Sequence, residues 1–234
     1  MPLISVIMPA LDEALCIQDA VGDIPVEGFR ALGFDSEIIV VDNGSTDETA
    51  DLARKSGARV VTEPRRGYGH AYKRGFKEAR GEVICTLDAD GTYPADVLPE
   101  MVARLVNEEL EFISTDRFAY MNNGVMTRTN RLGNSILTGT GRVLFDLPFR
   151  DSQSGMWVFS ADLLEGMQLR AGGMALSEEI KIEAVWRLNA KYAEVPIHYS
   201  HRRGMSKLRV WRDGANNLLY LFRKRIRITR RRSL

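Results

Sequence analysis

With 234 residues, 44% hydrophobic and 27% charged, the chain has the make-up of an ordinary globular domain with a sizeable core, which excludes a disordered or fibrous protein. Two cysteines among apolar neighbours, Cys16 and Cys85, fit no disulfide framework or metal ribbon, and no run of about 18 apolar residues promises a membrane span. The net charge of +1 hides an asymmetry: from Arg202 onward stand twelve Lys or Arg and one acid, Asp213, after twenty bases and thirty acids, so the tail asks for an anionic partner.

The chain opens on "LISVIMPA", which reads as a strand rather than a leader, and a cytoplasmic protein is expected. Apolar, β-branched runs follow at 37–41, 58–62 and 82–87, with helical stretches at 13–22, 46–56, 68–80 and 95–107. Strands alternating with helices predict an α/β fold with a mostly parallel sheet covered on both faces. Such sheets place ligands beyond the carboxyl ends of their strands. There the sequence gathers Asp12, Glu13, Asp42, Asp47, Arg66, Asp88 and Asp90. The second half predicts helices near 128–145 and over "LSEEIKIEAVWRLNA", then a strand and exit loop in "AEVPIHYSHRRGMSKL". No repeat or linker interrupts it. One domain over 1–207 is expected, followed by a basic amphipathic helix and tail over 208–234. In that tail Trp211, Ala215, Leu218, Leu219, Phe222 and Ile226 recur at helical spacing among arginines, the pattern of a helix lying on an anionic bilayer or packed against protein.

Asp88 and Asp90 end the fourth run, two positions apart, so on an extended segment both carboxylates point the same way. They suit Mg²⁺ or Mn²⁺ completed by the oxygens of a diphosphate; a turn and helix cap is the plainer reading. In "DNGSTDET" a helix cap accounts for Ser45 to Glu48 and leaves Asp42 available to a base or ribose. The chain lacks a P-loop, a dinucleotide fingerprint and a Gly-x-Ser-x-Gly elbow, and His70, His198 and His201 form no ligand set.

Taken together these motifs resemble family 2 glycosyltransferases of the GT-A fold, in the branch that makes polyprenyl- and dolichyl-phosphate sugars. "PALDE", "VVDNGSTDET", "RGYGHAYKRGFKEARGE", "DAD", "STDR", "RTNRLGN", "DSQSGMWVFS" and "RRGMSKL" occur in the family's order over about residues 3 to 215. The resemblance implies a donor site for a nucleotide-diphosphate sugar at Pro9, Ala10, Asp12, Glu13, Asp42, Arg66, Gly67, Asp88 and Ala89. It implies Asp88 and Asp90 as ligands of Mg²⁺ or Mn²⁺, and Asp90, Arg117 and Arg131 as catalytic. Ser154, Gly155, Arg202, Ser206 and Lys207 would meet an acceptor phosphate. Glu179 falls where the family has an acidic residue, as base or as scaffold. Two motifs depart from the pattern: "GTYP" follows the acidic pair where relatives often carry a further metal ligand, and "GMW" replaces Gly-Phe-Arg. The implied reaction is inverting transfer of a sugar to polyprenyl phosphate by an enzyme at the cytoplasmic face of a membrane, with the basic tail on the anionic surface and no nucleic-acid partner. A same-fold enzyme acting on a sugar hydroxyl, and a binding module without turnover, are the rival readings.

Overall fold

In a computed structural model, the structure describes residues 1–120, 125–203 and 210–232. Seven strands form one sheet: β1 (Leu3–Ala10), β2 (Asp35–Asp42), β3 (Arg59–Thr62), β4 (Val83–Thr86), β5 (Phe112–Asp116), β6 (Trp157–Ser160) and β7 (Tyr192–Pro196). Their order is β3-β2-β1-β4-β6-β5-β7. All pairings are parallel except those of β6, which runs antiparallel to both β4 and β5. The expected mostly parallel α/β sheet is therefore present, with one reversed strand in its interior. The strands at 112–116 and 157–160 were not expected from the sequence.

Period-two alternation divides the core. Ile4, Val6, Met8, Val40, Val83 and Cys85 face one layer, and Ile7, Ile39, Val41 and Ile84 the other. The first layer is closed by α1 (Ile17–Gly22), α2 (Val26–Ala31), α3 (Thr49–Lys55) and α5 (Leu98–Asn107). Over the second lie α4 (Tyr68–Glu78), α7 (Asp162–Gly166) and α8 (Leu176–Lys181), which runs on as a π-helical segment over Ile182–Arg187. α4 lies close because Gly75 carries no side chain: a Cβ there would stand 2.4 Å from Ile7 Cγ2.

Two longer helices complete the fold, α6 (Arg128–Phe145) and α9 (Val210–Arg232). The sequence marks α6 by Thr127, whose hydroxyl accepts from the Asn130 amide (3.2 Å) as an N-cap. α9 packs beside α6 and carries apolar side chains on both its buried and its exposed sides. Its buried side includes Asn217, Leu221 and Lys224, whereas Trp211 is 82%, Leu219 46%, Phe222 47% and Ile226 56% exposed. Lys224 reaches Glu179 (2.8 Å) and Glu183 (2.7 Å), and the Tyr220 hydroxyl also donates to Glu179. Leu218, in the expected apolar stripe, instead packs against the core. The expected boundary between 207 and 208 falls outside the described residues.

Candidate active site

Strand register sets the site. Ala10 pairs with Asp42, and Asp42 with Thr62, so the segments leaving β1, β2 and β3 start level. The Leu87 amide still donates to the Ile7 carbonyl (3.1 Å), which brings Asp88 to the same edge. A cavity of about 590 Å³ opens there. Of the residues singled out in the sequence, Pro9, Ala10, Glu13, Gly67, Asp88, Ala89, Asp90, Arg117, Gly155 and Arg202 line it.

The remaining ones stand elsewhere. Asp12, at φ 50°, accepts from the Thr46 amide (2.7 Å) and hydroxyl (3.1 Å). Asp42 accepts from the Ser45 amide (3.0 Å), and Arg66 donates to the Gly44 carbonyl (3.0 Å). All three fasten the turn after β2. Arg131 is exposed on α6, where its neighbour Asn130 faces the cavity. Ser154 is buried behind the wall, 2.6 Å from the Thr115 hydroxyl. Ser206 and Lys207 lie outside the described residues. Glu179 is buried, accepting from the Arg170 (2.8 Å) and Ala171 (2.7 Å) amides besides the α9 groups, and so serves the fold.

Asp90 is held on both oxygens. One accepts from the Thr92 amide (3.1 Å) and hydroxyl (2.6 Å), and the other pairs with Arg202 at 2.9 Å. Arg202 also binds Glu13, so one guanidinium ties the end of β1 to the acidic pair. Asp88 is half-buried and receives two long contacts, from the Tyr68 and Tyr72 hydroxyls at 3.4 Å each. Burial, with the Asp90 charge beside it, raises its carboxyl to about 7. The same burial pushes both tyrosines well above their usual range, so they stay protonated donors.

Asp88 and Asp90 fit a divalent cation as a donor set: two hard carboxylates at a cavity wall, leaving the rest of the shell to diphosphate and water. Among the described residues no group of three His, Cys, Asp or Glu side chains is placed to hold an ion by itself. The Nε of Arg202 and the Oδ1 of Asn130, on cavity-lining residues, are buried without partners among the described residues, as expected where a polar ligand completes the bonding.

The facing wall rests on buried charge. Arg117 grips Asp151 with Nε (2.6 Å) and Nη2 (2.9 Å), and its amide adds a third bond (3.2 Å). The guanidinium lies 5.3 Å from the Tyr199 ring centroid. Burial would raise the Asp151 carboxyl, but the charge and hydrogen bonds of Arg117, with Lys181 behind, hold it below the usual range. Gly155 donates its amide to Tyr93 (2.8 Å), and a Cβ on it would meet the Tyr68 hydroxyl at 2.1 Å. From α9, Asp213, Gly214 and Asn217 reach the cavity, and Asn217 donates to Gln153 (3.2 Å).

The sequence reading missed Tyr68, Tyr72, Tyr93, Tyr199, Asn130, Gln153 and Asn217. Only Tyr68 and Tyr72, four apart on a helix that begins at the cavity, carried a signal of a shared face.

An acidic pair and an arginine at the carboxyl edge of a mostly parallel sheet, beneath a cavity of this size, define a nucleotide-sugar transferase of the GT-A type. Residues 5–167 match the model of glycosyl transferase family 2, and the chain belongs to that family. It is 33% identical over 224 residues to glycosyltransferase AglJ of Haloferax volcanii, covering 94% of this chain and 71% of that protein. A dolichyl-phosphate hexose transferase of the same organism is 32% identical over 198 residues, 85% of each chain. A dolichol-phosphate mannosyltransferase of Pyrococcus furiosus is 30% identical over 220 residues, and the match spans 59% of its length. Among solved structures, glucosyl-3-phosphoglycerate synthase from Mycobacterium tuberculosis with Mn²⁺, UDP and glucosyl-3-phosphoglycerate superposes with a TM-score of 0.75 at 25% identity, over 96% of this chain and 80% of that one. The enzyme is a GT-A-like family 2 glycosyltransferase.

Proposed function

We propose that this enzyme transfers a hexose from a nucleotide-diphosphate sugar to a polyprenyl phosphate with inversion. The observation that carries the acceptor is α9: one side contributes Asp213, Gly214 and Asn217 to the cavity, while Trp211, Leu219, Phe222 and Ile226 stand exposed. Its neighbour α6 exposes Leu132 (63%), Ile136 (52%) and Val143 (84%). Residues 128–145 and 210–232 together contain eleven Lys or Arg and one acid. Apolar side chains ringed by arginine suit an anionic bilayer surface. A second copy of so basic a face would repel it. The named dolichyl-phosphate relatives support the same acceptor.

In this reading the donor occupies the edge formed by Pro9, Ala10, Glu13, Gly67, Asp88 and Ala89, with the turn carrying Asp12, Asp42 and Arg66 shaping its nucleotide end. Asp88 and Asp90 would hold Mg²⁺ or Mn²⁺, which when bound supplies positive charge against the departing diphosphate. An oxygen of the acceptor phosphate attacks C1 of the sugar, and the bond from C1 to the diphosphate oxygen breaks on the opposite face. That oxygen is already ionised at neutral pH, so no protein base is required. Arg202 orients the acceptor phosphate from beside Asp90, and Arg117 contributes positive potential from behind Tyr199. Gly155 leaves room for the Tyr68 hydroxyl at that wall; Ser154 supports it from behind, and Ser206 and Lys207 are proposed as further partners of the acceptor phosphate. Residues 1–207 carry the reacting groups, and 208–234 the attachment to the cytoplasmic face of the membrane, with Asp213, Gly214 and Asn217 also reaching the cavity.

The test is transfer from radiolabelled UDP- and GDP-hexoses to polyprenyl phosphate in anionic vesicles, against a water-soluble phosphate acceptor such as 3-phosphoglycerate. Label passing into the organic phase is expected. Transfer to the soluble acceptor alone overturns the lipid reading. Replacing Trp211, Leu219, Phe222 and Ile226 by serine is expected to abolish co-sedimentation with vesicles; unchanged sedimentation removes α9 as the attachment.

A further inference from the structure

A lysine at the α8–π-helix junction is closed off from solvent and spends its hydrogens on backbone carbonyls. Lys181 is fully buried. Its Nζ donates to three backbone carbonyls of one turn: Asp151 (3.1 Å), Ser152 (2.9 Å) and Ser154 (2.9 Å). An ammonium has three hydrogens, and all three are used. The rings of Phe149 and Trp157 lie 5.7 Å and 6.0 Å from the charge, within cation–π range.

Surface-oriented carbonyls of a short turn ordinarily find water. Here three of them converge inward on one cation, which fixes the turn from behind. The front of the same turn is the cavity wall. Asp151 holds Arg117 there, Gln153 and Gly155 line the cavity, and Gln153 is in turn bonded to Asn217 of α9. The Ser154 carbonyl also accepts the Trp157 indole N–H (2.8 Å), so the turn cannot rotate without breaking several bonds together.

We propose that Lys181 is a positioning residue for acceptor binding: by gathering the carbonyls of residues 151–154 it holds Gln153, Gly155 and the Arg117–Asp151 pair in the geometry the acceptor meets. This rests on the reading above that the 151–155 wall faces the acceptor. The donor edge is built from other segments and meets this turn only at its far end, where the Gly155 carbonyl accepts from Thr86 (3.0 Å) and Tyr72 (3.5 Å), beyond the carbonyls of Asp151, Ser152 and Ser154 that the lysine gathers. Removing the charge therefore separates the two substrates in a way that a general loss of stability does not.

The experiment uses the full chain with Lys181→Met, Lys181→Gln and, as a direct probe of the wall, Gln153→Ala. KM for polyprenyl phosphate in mixed micelles and KM for the nucleotide sugar are measured, each with the other substrate saturating, alongside nucleotide binding and the melting temperature. Lys181→Met is expected to raise the acceptor KM at least tenfold, with the donor KM within twofold and kcat within threefold. Lys181→Gln, which keeps two donor hydrogens, gives a smaller rise of the same kind and serves if the methionine variant does not fold. A lowered melting temperature with both KM values unchanged reduces Lys181 to a structural part and overturns the proposal. If Gln153→Ala raises the acceptor KM and neither Lys181 variant does, the proposal fails while the acceptor reading stands. If all three variants raise only the donor KM, the wall belongs to the donor and both fail.

Discussion

The two sides of the cavity are built on different principles. The edge at the ends of β1–β4 is made of turns near solvent: Asp42 and Asp47 accept from amides three and two residues on, and Asp12 accepts from Thr46 across the adjoining turns after β1 and β2. The facing wall, residues 115–117, 151–155 and 176–183, is held by long-range buried charges, among them Arg117–Asp151 and Lys181 on its three carbonyls. Local turns tolerate the loss of one contact because water replaces it. A buried charge that loses its partner has no such substitute.

The sharpest way to break this contrast is Asp151→Ala. It leaves Arg117 buried without its carboxylate and should cost about 3–5 kcal/mol, read by urea denaturation. Its counterpart Asp12→Ala should cost about 1 kcal/mol, the loss of a turn or cap contact. Equal effects would erase the distinction. Gly155→Ala comes next: the added Cβ pushes on the Tyr68 hydroxyl, with an expected overpacking cost of about 1–3 kcal/mol. Acceptor turnover should fall at least tenfold, and because Tyr68 also contacts Asp88 (3.4 Å) nucleotide binding should weaken by a smaller factor.

Glu178 sharpens the comparison through pH. Burial raises its carboxyl from 4.5 to about 8, one oxygen accepts from Ser152 (3.3 Å), and the other finds no hydrogen bond among the described residues. Between those pH values the folded chain keeps a proton that the unfolded chain has released. The stability due to that proton is complete below about pH 4.5 and is lost as pH rises through 8. Glu178→Gln imitates the protonated form at every pH. It should be neutral near pH 4.5 and stabilising by on the order of 1–3 kcal/mol at pH 8, seen as a melting temperature that falls less over that range, the remainder belonging to groups such as Asp88. The smallest effect belongs to Arg131→Ala. Its side chain is exposed and off the cavity, so stability should change by less than about 0.5 kcal/mol and kcat/KM by less than threefold. A hundredfold loss would show that α6 turns this arginine inward during turnover.

The same division explains what the sequence disclosed. Strands β1 to β4 are apolar, β-branched runs followed by Gly, Asp and Pro, so their positions and the edge they form could be read directly. β5 and β6 were missed because "FISTD" and "WVFS" are short and sit inside motifs that read as loops; pairing across the chain, not local pattern, makes them strands. In "LSEEIKIEAVW" the charges at 178, 179, 181 and 183 look like a solvated helix face. They are buried because their partners, in the 151–154 turn and on α9, lie 26 to 45 positions away. Arg117 was picked out by its motif, but its grip on Asp151 was not visible. For Arg131 the motif identified the helix, and the helical phase gave the cavity to Asn130.

α9 bears on the cavity and on the outside of the protein through one rigid rod. Where its outer face rests on a lipid interface, the enzyme samples a two-dimensional concentration. Its rate then follows the mole fraction of acceptor within the surface, and diluting the same acceptor with inert lipid slows turnover at constant bulk concentration. Orientation becomes a kinetic variable, because a molecule adsorbed through any other face presents its cavity to empty solution.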